Sequence, residues 1–191
     1  SVVCVSQEDC SLLRKEFNLN NVAGSVPTGV NLEYFSGVAQ SPIPCTIAFL
    51  GSMDWIPNVD AVAWFVRDIL PAIKKRVPRV RFLIIGRNPP SQVLALARGS
   101  FDVEVTGTVP DVRPFLAQAE MMVVPLRIGG GTRIKIFEAM AAGIPVVSTK
   151  IGAEGLGVTS GEDILLADDP VDFANKTCSL LEEPEFRSKV G

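Results

Sequence analysis

The sequence predicts an α/β fold, a Rossmann-like doubly wound parallel sheet, on three observations. Short apolar runs rich in Val and Ile recur from residue 46 onward, segments with helical spacing separate them, and glycines cluster in the loops that follow the runs. The runs are residues 46–50 (TIAFL), 80–85 (VRFLII), 103–105 (VEV), 121–125 (MMVVP), 145–148 (PVVS) and 164–166 (ILL). They are apolar on both parities, as strands covered on both faces of a parallel sheet are. Strand–helix alternation of this kind implies right-handed crossovers, with ligands gathered at the carboxyl ends of the strands.

Taken in order, Val2–Ser6 reads as a strand and residues 7–17 as a helix. A turn-rich stretch at Val26–Asn31 and a Ser/Pro-containing segment at 36–44 follow. One strand and one helix cannot bury a core of their own, so this part reads as the tail of a further domain. In residues 58–77, Val59, Val62, Val66, Ile69, Ile73 and Val77 form one amphipathic stripe, which Pro71 is expected to kink or divide. Helices are also expected over 91–98, 111–119, 132–142 and 170–182. Three loops after strands carry glycine: Gly51-Ser52-Met53-Asp54, Gly86-Arg87-Asn88 and Gly129-Gly130-Gly131.

Composition narrows the chemistry. The chain has 191 residues, a net charge of −3 and no histidine. A general nucleic-acid binder is not indicated by that charge, and an imidazole base, a Ser-His-Asp triad or a His-ligated metal is excluded within these residues. Cys4, Cys10, Cys45 and Cys178 form no C-x-x-C pair, so reduced, buried thiols are expected and a metal site is not. No apolar run reaches the ~20 residues of a membrane span, and the N-terminus lacks the basic start of a signal peptide. The expected compartment is the cytoplasm.

Residues 123–149 (VVPLRIGGGTRIKIFEAMAAGIPVVST) carry the most information. A strand ends at Pro125, three glycines follow, and a helix starts near Thr132. Glycines permit close backbone approach, and a first helical turn offers unpaired N–H groups and the positive end of the dipole. Together they suit a phosphate or pyrophosphate. Arg133 and Lys135 add cations where the dipole disfavours them, which makes sense around an anion. Glu138, one turn on, could accept hydrogen bonds from a vicinal diol such as a ribose. The alternatives are a flexible glycine loop and a solvated helix face carrying a weak Lys135–Glu138 surface pair. No P-loop and no G-x-G-x-x-G after a strand is present.

The run from Arg127 to Thr149, followed by Gly152-Ala-Glu-Gly155, resembles the donor-binding segment of family 4 glycosyltransferases of the GT-B fold. Further pieces fit in order: Ile47–Met53, Phe82–Gly86, Val105-Thr-Gly107-Thr-Val109, Gly161–Leu166, and Val26–Asn31 with Phe35 as an interdomain linker. The resemblance implies transfer of a sugar from a nucleotide-diphosphate sugar, usually with retention, without a metal or other cofactor. It implies that residues 1–35 are a remnant of an N-terminal domain and linker and that 36–191 form the donor-binding domain. The acceptor would bind in the missing N-terminal domain, so this chain alone would bind nucleotide and transfer little sugar. It also implies peripheral attachment to the inner membrane face through that domain, and exposed apolar surface that could promote homo-oligomers. A nucleotide-binding module without catalysis, or a nucleotide-sugar epimerase of the same fold, are the alternatives.

Carried over by residue, the resemblance assigns donor contacts to Gly51, Ser52, Arg87, Val109, Gly130, Gly131, Thr132, Arg133, Lys135 and Glu138, the last holding the ribose. Two departures stand out. The first carboxylate of the family's Glu-(seven residues)-Glu pair falls on Gly130, and the basic pair expected after the first strand is absent from Gly51–Asn58. Arg133 and Lys135 are expected to take over its charge neutralisation. Trp55 and Asn58 could supply a substrate wall and a polar contact, or Trp55 could simply pack.

Overall fold

The computed structural model describes residues 1–37, 40–98, 100, 102–129 and 133–190. In chain order the elements are β1 (Val2–Cys4), α1 (Gln7–Glu16), β2 (Val22–Ser25), α2 (Leu32–Ser36), β3 (Thr46–Leu50), α3 (Ile56–Trp64) and α4 (Leu70–Arg76). They continue through β4 (Arg81–Ile85), α5 (Ser91–Ala97), β5 (Val103–Gly107), α6 (Arg113–Leu116), β6 (Met121–Val124) and α7 (Ile134–Ala141). The chain closes with β7 (Val146–Ser148), β8 (Leu165–Leu166), α8 (Pro170–Glu182) and α9 (Pro184–Val190).

Six parallel strands run in the order β5-β4-β3-β6-β7-β8. From β3 the chain steps outward through β4 to β5, then returns across the sheet to β6 and steps the other way. Right-handed crossovers therefore put α3–α5 on one face and α7 on the other. The order reverses between β3 and β6, and this switch point opens a crevice at the carboxyl edge of the sheet. The strand interiors explain their sequence: Ile47, Ala48, Phe49, Met121, Met122, Val123, Val146 and Val147 have no solvent exposure. Each large apolar side chain so buried contributes about 1.5–3 kcal/mol.

The stripe over 58–77 is divided as expected, and the division has a specific form. A π-helical segment, Phe65–Ile69, separates α3 from α4, and the Leu70 N–H reaches back five residues to the Phe65 carbonyl. Pro71 has no N–H and its ring would strike the carbonyl four residues earlier, so the turn widens there. Phe65 from this segment lies 4.4 Å from the Phe82 ring of β4 and 6.1 Å from Phe173 of α8. That cluster fastens the broken helix to both the sheet and α8.

Several boundaries differ from the sequence reading. The first strand ends at Cys4 rather than Ser6, and the helix expected over 111–119 shrinks to α6, whose first turn holds Pro114 and whose start is tied back by the Asp111–Arg113 ion pair. β2 was not expected: it pairs parallel with β1, and Arg14 donates to the Val22 carbonyl at 3.0 Å. β1, α1 and β2 bury their own small core of Cys4, Cys10 and Val22, whereas Phe35 of α2 packs into the main core. Cys4, Cys10 and Cys178 are buried and free, and Cys45 is partly exposed and free. No helix among the described residues is long and apolar enough to cross a membrane.

Candidate anion-binding cleft

The crevice at the β3/β6 switch point holds a cleft of about 330 Å³ lined by Gly51, Ser52, Trp55, Asn58, Arg133, Lys135 and Glu138, among others. Residues from two distant stretches therefore meet. The loop after β3 supplies Gly51–Trp55, the first turn of α3 supplies Asn58, and the entry into α7 supplies the two cations and the carboxylate.

Close approach explains the glycines. A methyl group at Gly51 would lie 2.7 Å from both the Lys135 Nζ and the Asn58 Nδ2, so only a bare Cα lets these groups close over the loop. Gly129 has φ +117°, and a methyl there would lie 3.1 Å from the Arg133 guanidinium and 3.3 Å from the Trp55 ring. Behind them, a brace fixes the end of β6. Ser148 donates to the Val124 carbonyl at 3.1 Å, Thr149 donates to the Leu126 carbonyl, and the Gly152 N–H donates to the Thr149 hydroxyl at 2.9 Å. Ser148 and Thr149, with Gly152 behind them, thus hold the chain as it leaves β6.

The polar network runs across the crevice. Lys135 Nζ donates to Asn58 Oδ1 at 2.8 Å, and Asn58 Nδ2 donates to the Ser52 carbonyl at 2.7 Å. Arg87 Nε donates to the Ser52 hydroxyl at 2.8 Å, and that hydroxyl donates to Asp54. Asp54 also accepts from Asn88 at 3.2 Å, and its hydrogen bonds from Ser52 and Asn88 hold its carboxyl below the usual range. The cations rest on rings: Arg133 lies 5.4 Å from the Trp55 centroid and Lys135 4.4 Å from that of Phe49.

Burial sets the electrostatics. Arg133 is only 4% exposed, which removes the reading of a solvated helix face. Desolvation lowers the Arg133 pKa, against the pull of Glu154. Lys135 falls to about 7, chiefly through desolvation and then through Arg133, with Glu138 opposing. Glu138 is raised by burial, with Lys135 opposing. A buried Arg133 and a part-buried Lys135 side by side make this cleft a candidate for an anion.

Of the residues named from sequence, Gly51, Ser52, Arg133, Lys135 and Glu138 meet in the cleft. Arg87 is one contact away through Ser52, and its side chain is largely exposed. Val109 stands beyond β5, at the far edge of the sheet, and packs against the core. Gly130, Gly131 and Thr132 lie outside the described residues. Sequence reasoning left Asn58 as a generic polar contact and missed the Asp54–Asn88 link and the Ser148–Thr149–Gly152 brace. A larger groove of about 690 Å³ lies between α3 and α5, but it sets Asp54 and Asp60 against Arg67 alone and suits an anion poorly.

A family model described as glycosyl transferases group 1 matches residues 44–183. A phosphatidyl-myo-inositol mannosyltransferase of Mycobacterium tuberculosis is 31% identical over 184 residues, covering 90% of this chain and 48% of that protein. Anabaena HepE, solved in complex with UDP and glucose, superposes with a TM-score of 0.78 at 14% identity over 99% of this chain and 55% of that one. The C-terminal domain of the glycosyl transferase group 1 family protein LpcC from Francisella tularensis gives a TM-score of 0.68 at 20% identity, over 85% of this chain and 92% of that one. The chain spans about half the length of most curated relatives it matches, from 35% to 54%.

Proposed function

The chain belongs to the glycosyl transferases group 1 family, as the C-terminal half of a GT-B fold, and from that premise we propose that it is the donor-binding half of a retaining glycosyltransferase. Its donor is a nucleotide-diphosphate sugar, and its acceptor is held by an N-terminal domain across the cleft. The observation that carries the reading is the convergence of Arg133 and Lys135 on one cleft at the switch point, Lys135 against the bare backbone of Gly51 and Arg133 against that of Gly129. When the bond between the sugar C1 and the diphosphate oxygen breaks, the electron pair stays on that oxygen and negative charge grows on the diphosphate. Preplaced cations and helix N–H groups favour that state over the ground state. They stand in for the basic pair missing from the loop after β3, so the proposal calls for no metal ion.

Glu138, half-buried and one turn into α7, takes the ribose hydroxyls in this reading. Arg87 and Ser52 flank the diphosphate, and Val109 approaches the base. UDP in the HepE complex and the mannosyltransferase relatives support the donor class without choosing the base or the sugar. The test is calorimetry and thermal shift with UDP, GDP and ADP on this chain. A ligand at 100 times its Kd should stabilise it by about 2.7 kcal/mol. Replacing both Arg133 and Lys135 with Ala should weaken binding at least tenfold; equal affinity in the double variant would refute the assignment.

A further inference from the structure

We infer that Asn58 is a positioning residue for the donor diphosphate: its side-chain carbonyl holds the Lys135 ammonium on the cleft floor, and its amide ties that ammonium to the loop after β3. The inference rests on the donor-site reading of the cleft. Asn58 is 3% exposed, and both ends of its amide are engaged, by Ser52 at 2.7 Å and Lys135 at 2.8 Å. Neither bond serves its own helix, since Trp55 is the N-cap of α3 and makes no side-chain cap. A buried amide spent on two other elements, one of them 77 residues away, is there to fix their spacing.

The neutrality of Asn58 matters as much as its position. A carboxylate at this place would orient the ammonium equally well but would cancel its charge, leaving nothing for an anion. The amide orients without cancelling. The other groups around Lys135 are Arg133 and Glu138 on its own segment, the Phe49 ring from β3, and the Gly51 backbone. The charged pair in the neighbouring loops, Asp54 and Arg87, is engaged with Ser52 and Asn88. In this setting the ammonium titrates at about 7, and a bound diphosphate would draw its proton on. Donor binding is then linked to proton uptake, and Asn58 sets where the ammonium that carries the proton sits.

The test uses UDP-glucose and GDP-mannose, whose diesterified diphosphates lack the second ionisation near ~6 of a phosphomonoester. By calorimetry, the affinity of the unaltered chain for the one it binds should fall about tenfold between pH ~6 and pH ~8. Asn58→Asp should cost at least tenfold at the lower pH and flatten that profile, because the new carboxylate keeps Lys135 charged and occupied. Asn58→Ala should weaken binding several-fold while leaving the slope in place, and Lys135→Met should remove the slope. Thermal unfolding reports whether each variant folds; if Asn58→Asp does not, Asn58→Ala carries the test. Binding by the Asn58 variants that matches the unaltered chain in affinity and slope overturns the role of Asn58 alone. Failure of the unaltered chain to bind either nucleotide sugar overturns the donor-site reading and this inference with it.

Discussion

Gly51→Ala isolates the geometry of the cleft from everything else. Gly51 is not among the described glycines with positive φ, so alanine fits its backbone and the effect is purely one of contact. The new methyl would lie 2.7 Å from Lys135 Nζ, 2.7 Å from Asn58 Nδ2 and 2.9 Å from Asn58 Cγ, against 3.4 Å for ordinary contact. Each neighbour must therefore retreat by several tenths of an ångström. Lys135 is a flexible chain and can move, but Asn58 is buried in the first turn of α3 and cannot, so the Lys135–Asn58 bond is the one that breaks. Overpacking of this kind costs about 1–3 kcal/mol. Urea unfolding should show that loss, and affinity for UDP-glucose or GDP-mannose should drop at least tenfold. Adding Lys135→Ala to Gly51→Ala should recover part of the stability, because the contact with the ammonium is removed while the one with Asn58 stays; this non-additivity is what a double-mutant cycle measures. A Gly51→Ala chain with unchanged stability and affinity would refute the packing described for this cleft.

Two further outcomes follow from the same residues. Of the two tryptophans, Trp55 borders the cleft beneath Arg133 and Trp64 is buried beside Phe173, so nucleotide binding should change the intrinsic fluorescence, and Trp55→Phe should abolish the change while keeping the fold. Because the folded state lowers the Lys135 pKa from 10.5 to about 7, the unfolded chain binds more protons between these values, and stability without ligand should rise with pH across that window. Lys135→Met should flatten that rise in urea unfolding followed from pH ~7 to pH ~9, and an unchanged slope would count against burial of the ammonium.

The sheet was legible because its physics is simple. Strands covered on both faces have no polar side to preserve, so β3, β4, β6 and β7 announce themselves as runs that are apolar apart from Thr46, Arg81 and Ser148 at their ends. β2 has no such signature: it contains Gly24 at φ +153°, and its pairing with β1 comes from the chain reversal after α1 rather than from local preference. The Pro71 break was legible as a break, but its resolution as a π turn depends on how Phe65 must sit against Phe82 and Phe173. In the cleft, Arg133, Lys135 and Glu138 lie close in sequence beside a glycine run and could be read directly. Asn58 could not, since its meaning depends on Lys135 arriving from 77 residues away across the switch point. The demand on Gly51 is likewise tertiary, because nothing in its own loop crowds it.

The entry to α7 departs from a preference that α1 and α4 keep. α1 carries Arg14 and Lys15 in its last turn, and α4 carries Lys74, Lys75 and Arg76 in its last, where the dipole favours cations. α7 instead meets Arg133 and Lys135 at its start, facing the positive end of its dipole, with both pKa values lowered by burial. For the folded chain alone this is unfavourable three times over: by desolvation, by the mutual repulsion of the cations, and by the dipole. The surroundings soften these costs. The Trp55 and Phe49 faces accept cations, Asn58 orients one of them, and Gly51 and Gly129 give up side chains to make room. Two cations set against the dipole at a concave site, where several residues cooperate to sustain them, point to a partner that reverses the sign of the cost. A diphosphate does so on all three counts: it compensates the lost hydration, screens the two cations from each other, and aligns with the dipole.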